Sequence, residues 1–260
     1  MSLEEFPANS PLIVIPARLQ ATRLPNKPLA DIHGEPMIVW VWRRAIAARI
    51  GPVVVAASDQ EIVDVIEAVG GTAVLTDPAL PSGSDRVWAA VAAYDGAARH
   101  SVIVNLQGDM PTLDPQLLHS LVATLAESSA DIGTLGVYSL DPESATNPNI
   151  VKIALAEWGD WGGHEFTRRA LYFSRAAVPS GSAGVVHHLG LYAYRRAALE
   201  RFVSLPEAAL ERVERLEQLR ALAAGMTIAV RLVDTEPFGV DTPADLEKAR
   251  MVLKGSGNSL

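Results

Sequence analysis

Three cationic residues lie close together after the first apolar run of the chain. The run Leu12 to Ile15 leads into Pro-Ala-Arg, and Arg18, Arg23 and Lys27 fall within ten residues of one another. Guanidinium groups bind phosphate oxygens in a bidentate manner and lysine supplies a compact charge, so this loop suits a polyphosphate. The glycine spacing of a Walker A loop is missing. A solvated basic loop accounts for the same residues equally well.

Two aspartates are candidates for a metal site. Asp109 follows the apolar run Val102 to Leu106 in a Gln-Gly-Asp sequence, where we expect Gly108 to allow a backbone turn. Asp241 precedes Thr-Pro-Ala-Asp, in which Thr242 is the expected helix N-cap, so the capping role is already filled. Magnesium binds one or two carboxylates together with substrate phosphates. A simple turn residue is the alternative for Asp109.

A third carboxylate falls on a predicted apolar helix face. The stretch from Glu207 to Ala223 is predicted as one helix, and Glu217 shares an arc of it with Leu210 and Val213. A carboxylate in such a place costs free energy unless it is paired or faces a ligand. A bound ligand and an internal ion pair with Arg220 both explain it.

Short apolar runs alternate with predicted helices. The runs cover residues 12–15, 53–57, 72–75, 102–106, 189–194 and 227–233, and helices are predicted at 37–50, 58–69, 87–98, 207–223, after 114 and after 243. The tetrad Ser58-Asp59-Gln60-Glu61 has the spacing of a capping box. Continuous apolar runs between helices are typical of buried parallel strands, so we predict an α/β fold with a doubly wound, mainly parallel sheet. Ligands of such sheets bind beyond the carboxyl ends of the strands.

Residues 159–188 interrupt this alternation. The segment contains Trp161, several glycines and the loop Pro179 to Gly184. We expect an irregular excursion from the sheet that serves as a lid or a dimerisation contact. Apart from that excursion, residues 1–260 are expected to form a single domain.

Composition excludes several classes of protein. The 260 residues include no cysteine, so disulfides and zinc–thiolate sites are excluded. A net charge of −8 without a long basic run argues against a nucleic-acid partner, because phosphate binding depends on clustered cations. No apolar stretch is long enough to span a bilayer, and Met1 to Ser10 lacks the pattern of a signal peptide, so we expect a cytoplasmic protein.

Six further motifs, taken in order with the cationic loop, resemble one family. The loop itself reads Pro-Ala-Arg-x-x-x-Thr-Arg-Leu-Pro-x-Lys-Pro-Leu, and the further motifs are Asn105 to Asp109, Asn147 to Lys152, Leu171 to Ala176, His188 to Gly190, Leu216 to Arg220 and Gly239 to Pro243. Together they resemble the CMP-Kdo synthetases, or 3-deoxy-manno-octulosonate cytidylyltransferases. The resemblance implies a nucleotide-diphospho-sugar transferase-like fold and Mg²⁺-dependent transfer of CMP from CTP to the sugar acid Kdo, for bacterial lipopolysaccharide.

The resemblance also implies roles for particular residues. The residues implied in catalysis are Arg18, Lys27, Asp109 and Asp241, of which the two aspartates hold the magnesium. The nucleotide-binding residues are Ala17, Arg18, Arg23, Lys27, Ser82, Gly83 and Arg86. The sugar-binding residues are Gln107, Arg175, His188, Tyr192, Glu217 and Gln218. Helix capping by Ser84 is the alternative for the Ser82-Gly83 segment, and a homodimer is implied for the assembly.

Three departures from the family pattern leave the sugar acid open. Ala21 stands where the family usually has serine, Met110 where it usually has glutamate, and the loop between Arg175 and His188 is short. An amino-Kdo or a sialic acid is therefore an alternative substrate. A nucleotide-binding module without activity is the alternative of another class, and the intact Lys27 and Asp241 argue against it.

Overall fold

The computed structural model describes residues 6–7, 9–20, 23–156, 167–180 and 184–254. These residues form two compact units, one within 1–119 and 237–260 and the other within 120–236. The prediction of a single domain stays a prediction. The strands are β1 Leu12–Ala17, β2 Asp31–Ile32, β3 Glu35–Pro36, β4 Val53–Ala57, β5 Thr72–Leu75, β6 Val102–Asn105, β7 Ile132–Ser139, β8 Lys152–Leu155, β9 Thr167–Ser174, β10 Val185–Arg195 and β11 Ile228–Leu232. The α-helices are α1 Met37–Ala47, α2 Gln60–Ala68, α3 Gly83–Tyr94, α4 Gln116–Ala126, α5 Pro142–Thr146, α6 Arg196–Ser204, α7 Ala209–Glu214, α8 Gln218–Ala223 and α9 Pro243–Leu253.

The first unit has the predicted parallel arrangement. Four of its strands lie in the order β5-β4-β1-β6 with each neighbouring pair parallel, while the short β2 and β3 pair separately and antiparallel. Every residue of β4 is buried, as are all but one of β1, which explains why these strands are continuous apolar runs. Helices α1, α2 and α3 pack against this sheet. The parallel strands direct their carboxyl ends to one edge of the sheet, where the cationic loop begins.

The second unit departs from the predicted parallel sheet. Its strands lie in the order β10-β7-β11-β9-β8, and only β7 and β11 among these neighbours are parallel. Strand β8 also pairs with β10, so the pairings of the described strands close into a circuit. The expectation of a mainly parallel sheet is therefore wrong for this unit. Antiparallel strands need no crossover helix between them, so the alternation of apolar runs and helices on which the prediction rested does not apply to them.

Most of the described part of residues 159–188 belongs to the sheet, and residues 175–180 lie outside its strands. Residues 167–174 form β9, which pairs with β8 on one side and β11 on the other, and residues from 185 belong to β10. The expectation of an irregular excursion is therefore wrong for these strands, while residues 157–166 and 181–183 lie outside the described residues. A lid or dimerisation role for this segment stays a prediction.

The last helix anchors the residue that precedes it. Leu246, Ala249 and Leu253 on α9 join a buried cluster with Met37 and Trp40 of α1. As the sequence predicts, Thr242 caps α9, accepting a hydrogen bond from the Asp245 amide while the Asp245 carboxylate accepts from the Thr242 amide. This packing fixes the start of α9, and with it the position of Asp241.

Candidate active site

A cavity of about 380 Å³ opens at the carboxyl end of β1 within the first unit. Its volume is typical of a site for a small molecule. The loop after β1, the start of α3, the end of β6 and the segment before α9 supply its walls. The lining includes every residue predicted to bind nucleotide, together with three further candidates: Ala17, Arg18, Arg23, Lys27, Ser82, Gly83, Arg86, Gln107, Asp109 and Asp241.

Lys27 connects the two candidate metal ligands. Its ammonium nitrogen lies 2.7 Å from Oδ2 of Asp109 and 2.9 Å from Oδ1 of Asp241. Burial by itself would lower the pKa of Lys27, but the Coulombic attraction and hydrogen bonds of the two aspartates outweigh it and raise this pKa above its usual value. Lys27 is therefore a protonated counter-ion held between the two carboxylates.

Asp241 is free of the capping role, as the sequence predicts. The Thr242 hydroxyl and the Asp245 carboxylate cap the helix, and the Asp241 carboxylate accepts hydrogen bonds from Lys27 and from Nη2 of Arg23 at 2.9 Å. The backbone of the neighbouring Val240 donates to the Asp109 carbonyl oxygen at 2.9 Å. This backbone bond brings the segment before α9 alongside the Gln-Gly-Asp segment.

The chemistry of these carboxylates fits a magnesium ion. Two carboxylates within hydrogen-bond distance of the same nitrogen lie close enough to bind one cation together. Among the described residues, no group of three or more His, Cys, Asp or Glu side chains is placed to hold a metal. Magnesium suits a pair of carboxylates because it takes its other ligands from water and substrate phosphates.

Gly108 is needed here because of a close approach between two segments. A Cβ atom at this position would lie 2.7 Å from the carbonyl oxygen of Pro16, closer than real side chains come. Gly108 lies in a backbone turn as expected, but its φ is not positive, so the turn itself does not require glycine. The glycine instead lets the Asp109 segment lie directly against the end of β1.

Asp59 fixes the cationic loop, a role that the sequence did not reveal. The capping-box interpretation of residues 58–61 is wrong, because the N-cap of α2 is Asp59 and not Ser58, and the Asp59 carboxylate makes no capping hydrogen bond to α2. Its Oδ2 instead accepts from the backbone amide of Leu19 at 3.1 Å and from the hydroxyl of Ser58. The residue following Arg18 is thereby tied to the end of β4.

The guanidinium of Arg86 braces the loop that precedes α3. It is buried, and Nη1 donates to Oγ1 of Thr76 at 2.5 Å and to the Asp77 carbonyl oxygen at 3.2 Å. Burial lowers the pKa of Arg86, and the nearby charge of Arg18 lowers it further. Ser82, and not Ser84, caps α3, because its hydroxyl oxygen accepts from the Asp85 amide at 3.2 Å.

Of the predicted sugar-binding residues, Gln107 belongs to the first unit and the others to the second. Arg175 follows β9, and its side chain lies against two backbone carbonyls. Nε donates to the Glu214 carbonyl oxygen at 3.1 Å and Nη1 to that of Pro148 at 3.0 Å. The Glu214 carboxylate accepts from the Arg175 amide at 3.0 Å and from the Ser174 hydroxyl at 2.9 Å. Sequence reasoning did not single out Glu214, which holds both the backbone and the side chain of Arg175.

His188 and Tyr192 are neighbours across an irregular part of β10. The pairing of β10 with β7 shifts register between them, and their ring centroids lie 5.3 Å apart. Thr134 donates its hydroxyl proton to the Leu191 carbonyl at 2.7 Å, so the 3.0 Å contact to Nε2 of His188 requires a proton on that nitrogen. Burial lowers the pKa of His188 to about 3. His188 is therefore neutral, with Nδ1 available as an acceptor.

Burial also changes the phenol of Tyr192. It raises the pKa of Tyr192 well above its usual value, with smaller contributions from Tyr194 and Glu217. The phenol therefore stays protonated and can act as a hydrogen-bond donor.

Among the described residues, the buried Nε2 of Gln218 has no hydrogen-bond partner. A polar ligand would satisfy that nitrogen.

The helix predicted across residues 207–223 is broken in two. Helix α7 ends at Glu214, and Arg215 adopts a left-handed conformation with φ of 56° before α8 begins. Leu210 and Val213 are exposed, so the apolar arc that we assigned to Glu217 does not exist. Gly225, also with positive φ, follows the second helix. Arg220 forms its ion pair with Glu211, at 2.6 Å.

The departures from the family pattern are only partly within the described residues. Ala21 lies outside them, as does part of the short loop after Arg175. Met110 is buried in the first unit, next to Asp109 in sequence. Their effect on the choice of sugar acid stays a prediction.

Comparison with known proteins assigns the chain to a family. A family model described as cytidylyltransferase matches residues 12–228. A 3-deoxy-manno-octulosonate cytidylyltransferase from Paramagnetospirillum magneticum is 59% identical over 94% of this chain and 98% of its own length. One of the same name from Parvibaculum lavamentivorans is 58% identical over 95% of this chain and 93% of its own length.

A solved structure agrees with this assignment. It is described as CMP:2-keto-3-deoxy-manno-octonic acid synthetase complexed with CTP, and it superimposes with a TM-score of 0.85. The two sequences are 35% identical, and the match covers 95% of this chain and 99% of the other. The likeness extends over both compact units, so the chain belongs to the 3-deoxy-manno-octulosonate cytidylyltransferase family.

Proposed function

We propose that this protein transfers CMP from CTP to the anomeric hydroxyl of Kdo, giving CMP-Kdo and pyrophosphate. The observation that carries the proposal is the cavity of the first unit, where four cationic side chains and two carboxylates line one space: Arg18, Arg23, Lys27, Arg86, Asp109 and Asp241. The excess of positive charge suits a triphosphate. The identity of 59% to a relative that bears the name of this activity supports the same substrates.

The reaction requires positioning and charge stabilisation more than covalent chemistry. The anomeric oxygen bonds to the α-phosphorus and its proton passes to solvent, while the bond from the α-phosphorus to the bridging oxygen breaks and pyrophosphate leaves with that oxygen. Arg18 and Lys27 bind the phosphates and stabilise the charge that develops on them, and Arg23 supports them. The pyrophosphate leaves with its charge neutralised by the same cations.

We further propose a dependence on Mg²⁺. Asp109 and Asp241 would hold the ion, because they are two neighbouring carboxylates that line the cavity with the phosphate-binding cations. Bound there, it would supply Lewis-acid stabilisation of the phosphate oxygens and lower the pKa of the attacking hydroxyl. Lys27 keeps the two carboxylates together and offers its charge to the nucleotide.

The sugar acid needs a cation for its carboxylate and polar groups for its hydroxyls. We assign the carboxylate to Arg175 and the hydroxyls to Gln107, neutral His188, Tyr192, Glu217 and Gln218. The protonation of His188 and Tyr192 supports these roles, since one offers an acceptor nitrogen and the other a donor hydroxyl. A homodimer, a cytoplasmic location and a role in lipopolysaccharide synthesis belong to the proposal through the family resemblance. Among the described residues, no helix has the length and apolar character needed to cross a membrane.

Release of pyrophosphate from CTP tests the proposal. Kdo, an amino-Kdo and N-acetylneuraminate are assayed side by side with Mg²⁺, and again after addition of EDTA. We expect turnover with Kdo that stops with EDTA. Turnover with another of the sugar acids alone would keep the reaction and reject Kdo. Absence of pyrophosphate with all three would reject the proposed activity, and unchanged turnover in EDTA would reject the metal.

A further inference from the structure

Lys152 is a fully buried lysine whose ammonium group is bonded to backbone carbonyls. Its nitrogen donates to the carbonyl oxygens of Asn147, Ile150 and Arg175 at 2.9, 2.8 and 2.6 Å. An ammonium has three protons, so these three acceptors use its whole donor capacity. Lysine is rarely buried completely, because removing its charge from water is costly. The three hydrogen bonds of the ammonium group must therefore offset this cost.

The three carbonyls belong to two segments that are distant in sequence. Asn147 and Ile150 lie in the turn between α5 and β8, and Arg175 follows β9. In the β8–β9 pairing Lys152 stands opposite Ser174, so its side chain reaches the next residue of the neighbouring strand. The ammonium therefore ties the turn at residues 147–150 to the backbone of Arg175.

The same turn also holds the side chain of Arg175. Nη1 of Arg175 donates to the Pro148 carbonyl oxygen, and Pro148 lies between the two turn carbonyls bonded to Lys152. The Glu214 carboxylate accepts from the Arg175 amide, and the backbone carbonyl oxygen of Glu214 accepts from Nε of Arg175. Within the described part of the chain, Nη2 of Arg175 makes no hydrogen bond. The guanidinium is thus held at two nitrogens while a third stays available to a ligand.

Charge favours an orienting role for this arrangement. Lys152 and Arg175 are both cationic, and Arg175 lowers the pKa of Lys152 in addition to the effect of burial, while Glu214 raises it. Filling space between the strands would not require a charged group. The Lys152 ammonium donates to the Arg175 carbonyl oxygen and to the turn at residues 147–150, and the same turn accepts from the Arg175 guanidinium. Lys152 therefore restrains both the backbone and the side chain of Arg175.

We propose that Lys152 is a positioning residue for the sugar acid, which orients the Arg175 guanidinium through the backbone of residues 147–150 and 175. The inference rests on the proposed function, because it takes Arg175 as the group that binds the sugar carboxylate. Lys152 itself does not touch the substrate. Its removal should therefore weaken binding of the sugar acid and leave binding of CTP intact.

The test compares Lys152→Met, Arg175→Ala and the double variant by pyrophosphate release, with KM measured separately for Kdo and CTP. Lys152→Met should raise KM for Kdo about tenfold, because a misplaced charged hydrogen-bond donor weakens binding of the sugar acid by about that factor. KM for CTP should change less than about twofold. If Lys152 acts through Arg175, the double variant should show no higher KM for Kdo than Arg175→Ala alone.

Arg195 provides a matched control within the same unit. Its guanidinium also donates to three backbone carbonyls, those of Leu125, Ser128 and Ala130. None of these three residues is a sequence neighbour of Arg175 or of the turn at residues 147–150. Arg195→Met should lower the melting temperature without changing KM for Kdo. A comparable rise of that KM in Arg195→Met would show a general loss of structure and would overturn the proposal.

Other outcomes separate the inference from the proposed function. An unchanged KM for Kdo in Arg175→Ala would reject the role of Arg175, and the inference with it. A raised KM in Arg175→Ala with additive effects in the double variant would overturn the inference alone. If Lys152→Met does not fold, Lys152→Gln retains two donors for the three carbonyls and should raise KM for Kdo by a smaller factor. An unchanged KM in folded Lys152→Gln would then overturn the inference.

Discussion

The ammonium nitrogen of Lys27 lies 2.7 Å from a carboxylate oxygen of Asp109, although 82 positions separate the two residues in the sequence. The second carboxylate on this nitrogen, that of Asp241, is 214 positions away from Lys27. Charge-assisted hydrogen bonds of this length are stronger than those between neutral groups. Lys27 and the two aspartates therefore form one electrostatic unit, and a change at any of them affects the others.

Replacing Lys27 by methionine should lower kcat/KM about 100-fold, because one cation for the phosphates is lost and two carboxylates are left facing them. We expect a large part of the loss to be in KM for CTP. Steady-state pyrophosphate release measures both constants. The exposed Lys254→Met is the control and should behave as the wild type. Wild-type kinetics in Lys27→Met would reject the phosphate role.

Exchange of Asp241 for asparagine should reduce pyrophosphate release at least about 100-fold, because a neutral amide is a poor magnesium ligand. The melting temperature should stay within a few degrees, because Thr242 and Asp245 cap α9 without the Asp241 carboxylate. Thermal unfolding and the release assay are measured on the same sample. Asp234→Asn, at an exposed carboxylate, is the control. Near-normal activity of Asp241→Asn would contradict the metal assignment.

Gly108→Ala should destabilise the protein by about 1–3 kcal/mol, because the new methyl group would lie 2.7 Å from the Pro16 carbonyl oxygen. The displacement also moves Asp109, so activity should fall with stability. Urea unfolding gives the first quantity and pyrophosphate release the second. At Gly96 the added Cβ would lie 3.6 Å from its nearest neighbour, so Gly96→Ala should change neither by much. Equal effects of the two substitutions would reject the steric explanation.

The half-buried His188 should make stability fall as the solution becomes acidic. Its pKa is about 3 in the folded protein, against about 6.5 in an unfolded chain, so the unfolded state binds more protons between these values. Stability should therefore decrease below about pH 6.5, with a slope from this residue of up to about 1.4 kcal/mol per pH unit. Urea unfolding of the wild type and His188→Gln between pH 4 and pH 8 measures the difference. Parallel curves for the two proteins would exclude His188 as the cause.

Local patterns of the sequence predicted much of the first unit. Strands β4 and β5 have the predicted bounds. For β4 the reason is that a parallel strand buried on both faces needs an unbroken apolar run, whereas β5 is a partly exposed edge strand. The capping of α9 by Thr242 was also predicted, since all the groups involved lie within four residues. The family motifs then identified candidate residues that this unit brings into one cavity.

Patterns of the same kind failed where distant contacts decide the conformation. The tetrad at residues 58–61 has the spacing of a capping box, yet Asp59 bonds to Leu19, which lies 40 positions earlier. The second unit's strands are largely antiparallel, and β9 was expected to leave the sheet. The helix expected at residues 207–223 is interrupted at Arg215, where Glu214 ends α7 and bonds to Arg175 and Ser174.

The sequence by itself determined which residue types are present for phosphate, metal and sugar chemistry, and which short segments are buried. It determined these because propensity, capping and apolar periodicity act over a few residues. Tertiary structure decided that Lys27 joins Asp109 to Asp241 and that Lys152 ties the 147–150 turn to Arg175. Such pairings depend on strand order and register, which are set by packing across the whole unit, and no local pattern encodes them.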